Sequence, residues 1–271
     1  MAYDAAPFAW RARSREAGVR ALLNTLPAVA LVAALIALWQ WYASGAAIDP
    51  QILPTPVAVW RALVAQRDLL WGHTLVTLYE TLVGFAVALA AGVAFAVVVD
   101  ASPWLRRAVY PLLVTSQTIP IITLAPLLVL WFGFGLLSKT LVVLLVCFFP
   151  ITVALADGLR AADPELIKLY RAFGAGPLRI FWSVRLPGAL PSLFSGVRIA
   201  ITYSVYGAIF GEYVGSEAGL GFYMLLKQHA FATAAVMAVI VVTALLSIAL
   251  FTLVALIERL ALPWYYAQGR T

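Results

Sequence analysis

The chain has 271 residues, of which 64% are apolar and 11% charged, whereas ordinary globular chains are about 25% charged. With a mean hydropathy of +0.97, it reads as an integral membrane protein. Disorder, a nucleic-acid-binding module and, with Cys147 the one cysteine, a disulfide framework are excluded. The net charge of +6 then calls for a topological explanation, not a polyanionic ligand.

A bilayer core of about 30 Å needs about 20 apolar residues per helix. Windows of that size predict six spans, at 21–42, 75–99, 109–132, 140–156, 190–210 and 231–257. The third carries Pro111, Pro120 and Pro126, and the fourth is the shortest. With six spans both termini share a side. The connectors on that side hold Arg11, Arg13, Arg15, Arg20, Arg106, Arg107, Arg160, Lys168, Arg171, Arg179, Arg185, Arg259 and Arg270. The opposite connectors hold Arg61, Arg67, Lys139 and Lys227, and Arg198 is embedded. The positive-inside rule therefore places both termini in the cytoplasm. The first apolar run is too long for the core of a cleaved signal peptide, despite the small cluster Ala43, Ser44, Gly45 after it. Pro56 marks a helix start in the first outer connector, and this helix is expected to lie at the interface. The expected organisation is one membrane domain over 21–260, with cytoplasmic tails at 1–20 and 261–271.

No nucleophile with a base and no metal cluster stands out. His73 and His229 sit at outer ends of spans without ligand-spaced partners, and Cys147 lies among apolar residues as a small hydrophobe. The segment "GFGLLSKT" at 133–140 has Ser138 where a phosphate-binding loop needs glycine before the lysine. If ATP is used, another subunit binds it.

Proline breaks at membrane depth survive where protein or a water-filled cavity satisfies the freed backbone groups. Pro120 lies in such a stretch beside Gln117, Thr118 and Thr123, which reads as a pathway lining or as a kinked packing helix. Charges inside spans are costly. Glu80 is a candidate ligand-facing or gating carboxylate. Arg198 either snorkels toward the cytoplasm or holds a dimer, and a direct pair between the two is not favoured. Rows of small residues at spacing four, Gly84, Ala88, Gly92 and Gly207, Gly211, Gly215, mark the second and fifth spans as central packing helices. Tyr203, Ser204, Tyr206 and Glu212 offer polar groups that either meet a solute or form interhelical hydrogen bonds.

The cytoplasmic connector at 157–189 does not read as slack. Asp163 caps a helix, Pro164 suits its first turn, Glu165 complements its dipole, and Gly174 and Gly176 stop it. Leu166, Leu169, Tyr170 and Phe173 recur at three and four residues as one apolar stripe. Pro177 starts a second short helix with Leu178, Phe181 and Trp182. Part of this apolar surface covers the span ends, and the rest is expected to dock a cytosolic partner.

The loop "ELIKLYRAFGAGPLRIFWSVRLPGALP" resembles the cytoplasmic loop of binding-protein-dependent ABC importer permeases. The signature of that family is Glu-Ala-Ala, three residues, Gly, nine residues, then Ile-x-Leu-Pro. Gly174 matches the glycine, Val184 stands for the isoleucine, and Leu186 and Pro187 complete it, while Lys168, Leu169 and Tyr170 replace the Glu-Ala-Ala triad. "ILPTP", "TLYETLVGF", "SQTIPIITLAPLLVLWFGFG", "FFPI" and "GEYVGSEAGLGFYM" extend the resemblance over about residues 50–265 to permeases of the nitrate, sulfonate and taurine type. Within that group the chain looks most like members assigned to thiamine-pyrimidine precursors or riboflavin.

The resemblance implies an all-α, six-span type I (MetI-like) permease in a bacterial inner membrane. It implies a homodimer with two cytoplasmic ATPase subunits that bind ATP and Mg, an external solute-binding protein, and no cofactor in this chain. It implies a coupling helix formed by Asp163, Pro164, Glu165, Leu166, Leu169, Tyr170, Phe173, Gly174 and Ala175, with Leu186 and Pro187 behind it. The candidate pathway residues are Glu80, Gln117, Thr118, Pro120, Tyr203, Ser204, Tyr206 and Glu212. A self-sufficient channel or secondary carrier is the rival expectation, but midplane coupling carboxylates and inverted repeats are not evident.

Overall fold

A computed structural model describes residues 9–45 and 48–268, with side chains described from Leu26 onward. Of the two expected tails, 1–8 and 269–271, with Arg270, lie outside the described residues. All regular elements among the described residues are helical.

Helix α1 (Ala9–Ala43) includes 9–20 of the expected amino-terminal tail, and its apolar window is Leu26–Ala43. Helix α2 (Pro56–Ala65) begins at the predicted proline, where the Thr55 side chain accepts a hydrogen bond from the Ala58 amide. It buries Val59 and packs across the last span, α11 (Thr233–Ala261). Helix α3 (Arg67–Ala101) contains the second predicted span and outruns it at both ends.

The third predicted span is two helices, α4 (Pro103–Ser116) and α5 (Ile121–Phe132), bent by 98°. Pro120 brings no amide to the break. The remaining backbone groups close on tight turns, Gln117 N to Val114 O at 3.2 Å and Thr118 N to Thr115 O at 3.0 Å. The Thr118 and Thr123 hydroxyls donate back to the Thr115 and Pro120 carbonyls, each at 2.7 Å. Few polar backbone groups are thus left bare, the condition for irregular chain at membrane depth.

Helix α6 (Leu136–Arg160) is longer than the predicted fourth span at both ends. Helix α7 (Pro164–Ala172) is the loop helix, and α8 (Pro177–Ile180) passes through a π turn at Phe181–Arg185 directly into α9 (Leu186–Gly215). Helices α10 (Leu220–His229), α11 and α12 (Pro263–Gln268) follow. Five helices are long and apolar enough to cross a bilayer, and the bent pair α4–α5 passes the same test when its two halves are taken together, which makes six if the pair is one span.

The middle of the bundle is α6, lying along both α3 and α9. A Cβ at Gly84 would press on Val143 at 2.6 Å, one at Gly92 on Ile151 at 2.9 Å, and one at Gly207 on Val146 at 2.8 Å. Both small-residue rows therefore face α6, not each other. The second and fifth spans are central as predicted, but they share the centre with the span that looked shortest. Its β-branched Val143 and Ile151 are fully buried and fill the space the glycines leave, while Val142 packs against Ala125 and Leu128 of α5.

At the α7 end, Arg185 Nη2 lies 2.8 Å from Asp100 Oδ1, and Nε and Nη2 also donate to the Leu159 carbonyl at 3.3 and 3.1 Å. One guanidinium thus ties together the ends of α3, α6 and α9, a role the sequence analysis did not single out. The Asp100 side chain is 6% exposed, so Arg185→Ala is expected to cost about 2–3 kcal/mol, the penalty of a buried charge losing its donor. The thermal midpoint of the purified protein checks this, and Asp100→Asn in the same chain should recover most of the loss.

Candidate functional site

A cavity of about 1290 Å³ opens between α4, α6, α9 and α11. Its wall includes Gln117 from the proline break, Phe149 and Pro150 of α6, Tyr203 and Tyr206 of α9, and Thr243 of α11. Three of the candidate pathway residues, Gln117, Tyr203 and Tyr206, thus meet at one place. Tyr203 and Tyr206 are half exposed, and the Tyr206 ring leans on Phe210 with centroids 4.5 Å apart.

The other candidates fall elsewhere. Thr118 and Pro120 are exposed in the break itself and are not on this wall. Ser204 is fully buried and donates to the Ile201 carbonyl at 2.7 Å. One residue along a helix is a rotation of about 100°, so Ser204 turns away from the tyrosines that flank it and joins the face carrying Gly207 and Gly211.

Glu80 and Glu212 lie at the end of the bundle opposite α7, in a buried cluster. Lys139 Nζ is 2.5 Å from Glu80 Oε1 and donates to Ser216 Oγ at 2.7 Å. Lys139 was expected in an outer connector; it is 7% exposed instead. Because α6 starts at Leu136, Lys139 falls in its first turn and faces α3. Glu80 therefore pairs with Lys139. Arg198, the other embedded charge, reaches Glu258 of α11 at 3.2 Å, and Glu258 also accepts from the Tyr266 hydroxyl at 3.1 Å.

The backbone between α9 and α10 folds over the Glu80–Lys139 pair. Gly219 N donates to His73 Nδ1 at 3.1 Å, Leu220 N to Thr77 Oγ1 at 2.8 Å, and Gly221 N to Glu212 Oε2 at 2.6 Å. His73 is accordingly a neutral acceptor. Gly219 has φ +107°, and a Cβ there would land on the Glu212 carboxylate, so no other residue fits this turn. A smaller cavity of about 640 Å³ beside it is lined by Glu80, Lys139, Phe134, Ser216 and Glu217.

At the other end, α7 forms as its caps predict. Asp163 Oδ1 accepts from the Glu165 amide at 2.8 Å. The helix closes through Gly174 at φ +77°, with Ala175 N donating to Tyr170 O at 3.0 Å. No residue of α7 is buried. Leu166 and Leu169 are 40% and 50% exposed, and Phe173, Leu178 and Trp182 are 83%, 73% and 62% exposed. The apolar stripe is left open, while Leu186 and Pro187 are half buried where α9 begins. The predicted second loop helix is only four residues long. It continues through the π turn so that Pro177–Gly215 is one unbroken helical rod.

A bundle of membrane-spanning helices, four of which enclose a large, mostly apolar cavity, with an open amphipathic helix joined to one span, describes a transport permease. Residues 84–262 match the family of binding-protein-dependent transport system inner membrane components, and the chain belongs to that family. It is therefore a multi-pass inner-membrane protein, the permease component of an ABC importer. The chain is 37% identical over 81% of its length to the formylaminopyrimidine transport permease ThiX of Halalkalibacterium halodurans, covering 88% of that protein. It is 36% identical over 88% to the riboflavin transport permease RibX of Chloroflexus aurantiacus, covering 91%. It is 27% identical over 88% to the taurine transport permease TauC of Escherichia coli, covering 89%. Its fold is similar to that of a chain in the inward-facing MetNI methionine ABC transporter, with TM-score 0.55 and 24% identity over 71% of this chain and 94% of that one.

Proposed function

We propose that the chain is the membrane half of an ATP-driven importer for a small neutral heterocycle of the thiamine-pyrimidine or riboflavin kind. The observation that carries the reading is the chemistry of the large cavity. Its wall offers the Tyr203 and Tyr206 rings, the Gln117 amide, the Thr243 hydroxyl and one carboxylate, Asp157, and no Lys or Arg is among the described residues that line it. Aromatic faces with a few hydrogen-bonding groups suit a flat, uncharged ring. A sulfonate or nitrate calls for a cation or a cluster of donors.

In this reading two copies of the chain face each other across the pathway. Two cytoplasmic ATPases, which bind the ATP and Mg, seat the α7 stripe in a groove, and an external binding protein delivers the solute. Both termini are cytoplasmic, as the Lys/Arg asymmetry requires, with the tails outside a single permease domain over 21–260. Closure of the ATPases moves α7, and the continuous rod from Pro177 to Gly215 carries that displacement to Tyr203 and Tyr206.

Cells carrying the chain with its ATPase and binding protein are expected to take up labelled formylaminopyrimidine or riboflavin, and excess taurine should not compete. Tyr203→Ala should lower uptake by about two- to tenfold, the loss of one aromatic contact of about 0.5–1.5 kcal/mol, without releasing the ATPase. Taurine uptake that ignores the heterocycles would replace this reading with the sulfonate one. Transport by the chain alone in liposomes would replace it with a self-sufficient carrier.

A further inference from the structure

The cluster opposite α7 holds two carboxylates and one ammonium. Glu80, Glu212 and Lys139 are 5%, 1% and 7% exposed. Lys139 neutralises Glu80 at 2.5 Å. Glu212 borders the same cluster: its Oε2 takes the Gly221 amide, next to Leu220 N, which donates to Thr77 one helical turn before Glu80. Glu80 Oε2 and Glu212 Oε1 are both buried with no donor. Two ionised carboxylates on one ammonium would leave an uncompensated charge among buried side chains, which folded proteins avoid by keeping a proton.

Among the described residues, no other charged side chain at this end cancels that charge. From α3, His73 is a neutral acceptor for Gly219 N. From α10, Lys227 lies over the Tyr223 ring at 5.1 Å, and the Tyr223 hydroxyl donates to Gln66. From the turn itself, Glu217 is exposed and adds only negative charge.

We propose that Glu80 and Glu212 together bind one proton, and that this proton latches the turn at 216–221 onto α3 and α6. A proton on one of the two orphan oxygens replaces an unsatisfied buried acceptor with a donor. Glu212 Oε2 remains free to take the Gly221 amide at 2.6 Å, and Lys139 holds Ser216. Opening the turn brings Glu212 into water, where a carboxyl ionises above about pH 4.3. The closed turn therefore binds one proton more than the open turn. Its advantage falls as pH rises, by up to about tenfold per pH unit for as long as the closed form keeps the proton. His73 acts in the opposite sense, since an imidazolium cannot accept from Gly219 N. The relevant window is therefore above pH 7. The latch does not depend on which solute is carried.

Hydrogen exchange of the segment 216–225 in the assembled transporter in lipid nanodiscs, corrected for the intrinsic pH dependence of exchange, reads the latch directly. Between pH 7 and pH 9 the wild type should lose about tenfold or more of its protection. Glu212→Gln keeps a donor toward Glu80 and an acceptor for Gly221 N without a titratable proton, and should stay within about twofold. Glu80→Gln leaves one carboxylate for Lys139 and should be equally flat, so either variant suffices if the other fails to assemble. Protection in the wild type that does not change with pH, or an undiminished loss in a folded variant, overturns the proposal.

Discussion

Leu169→Asp is expected to reduce ATPase co-purification at least about a hundredfold while the protein still inserts and purifies. The side chain is half exposed on the open stripe of α7, so the exchange costs the permease itself little. In a docked groove it removes about 2 kcal/mol of apolar burial and adds the desolvation of a carboxylate. Together these exceed the roughly 2.7 kcal/mol that a hundredfold weakening requires. Gly174→Pro should do the same by another route. Proline holds φ near −65°, and the turn that ends α7 needs φ +77° there. Pull-down of the ATPase from solubilised membranes checks both, and full recovery of the ATPase with both changes present would remove α7 from the docking surface.

Lys139→Met is expected to destabilise the bundle by about 3–5 kcal/mol, the usual penalty for stranding one member of a buried pair. Glu80 would lose its only cation in a site that is 5% exposed, and Ser216 would lose its donor. Adding Glu80→Gln should return part of that stability, because it removes the carboxylate that Lys139 left without a partner, while Glu212 stays in the cluster. Thermal unfolding of the purified variants measures the difference. A double variant no more stable than Lys139→Met would mean that Lys139 acts through packing and not through Glu80.

These two residues also show where reading a chain in order reaches its limit. Glu80 stands out because a carboxylate inside an apolar run is rare. Lys139 does not, because beside Gly133, Gly135 and Ser138 it looks like a loop residue. Starting α6 at Leu136 moves it into the bundle. The same holds for Asp100 and Arg185, each of which reads as a span-end charge until the two meet at 2.8 Å. Tyr203 and Tyr206 were grouped with Ser204 on composition, and the period of 3.6 separates them onto two faces. The α7 helix was legible almost residue by residue, because caps, stop signals and an apolar stripe act within a single turn of chain.

By itself the sequence determined six greasy passes, the break at Pro120, the capped helix of the loop and, through its matching motifs, the family. Each of these follows from hydropathy, dihedral limits or spacing within about twenty consecutive residues. Only the tertiary structure decided that α6 stands between α3 and α9, that the tyrosines border a cavity, and that Glu80, Lys139 and Glu212 share one buried cluster. Those outcomes rest on contacts between residues such as Glu80 and Lys139, 59 positions apart. Such pairs are chosen by how whole helices pack and by the cost of leaving a buried charge alone, and neither is a property of any one segment.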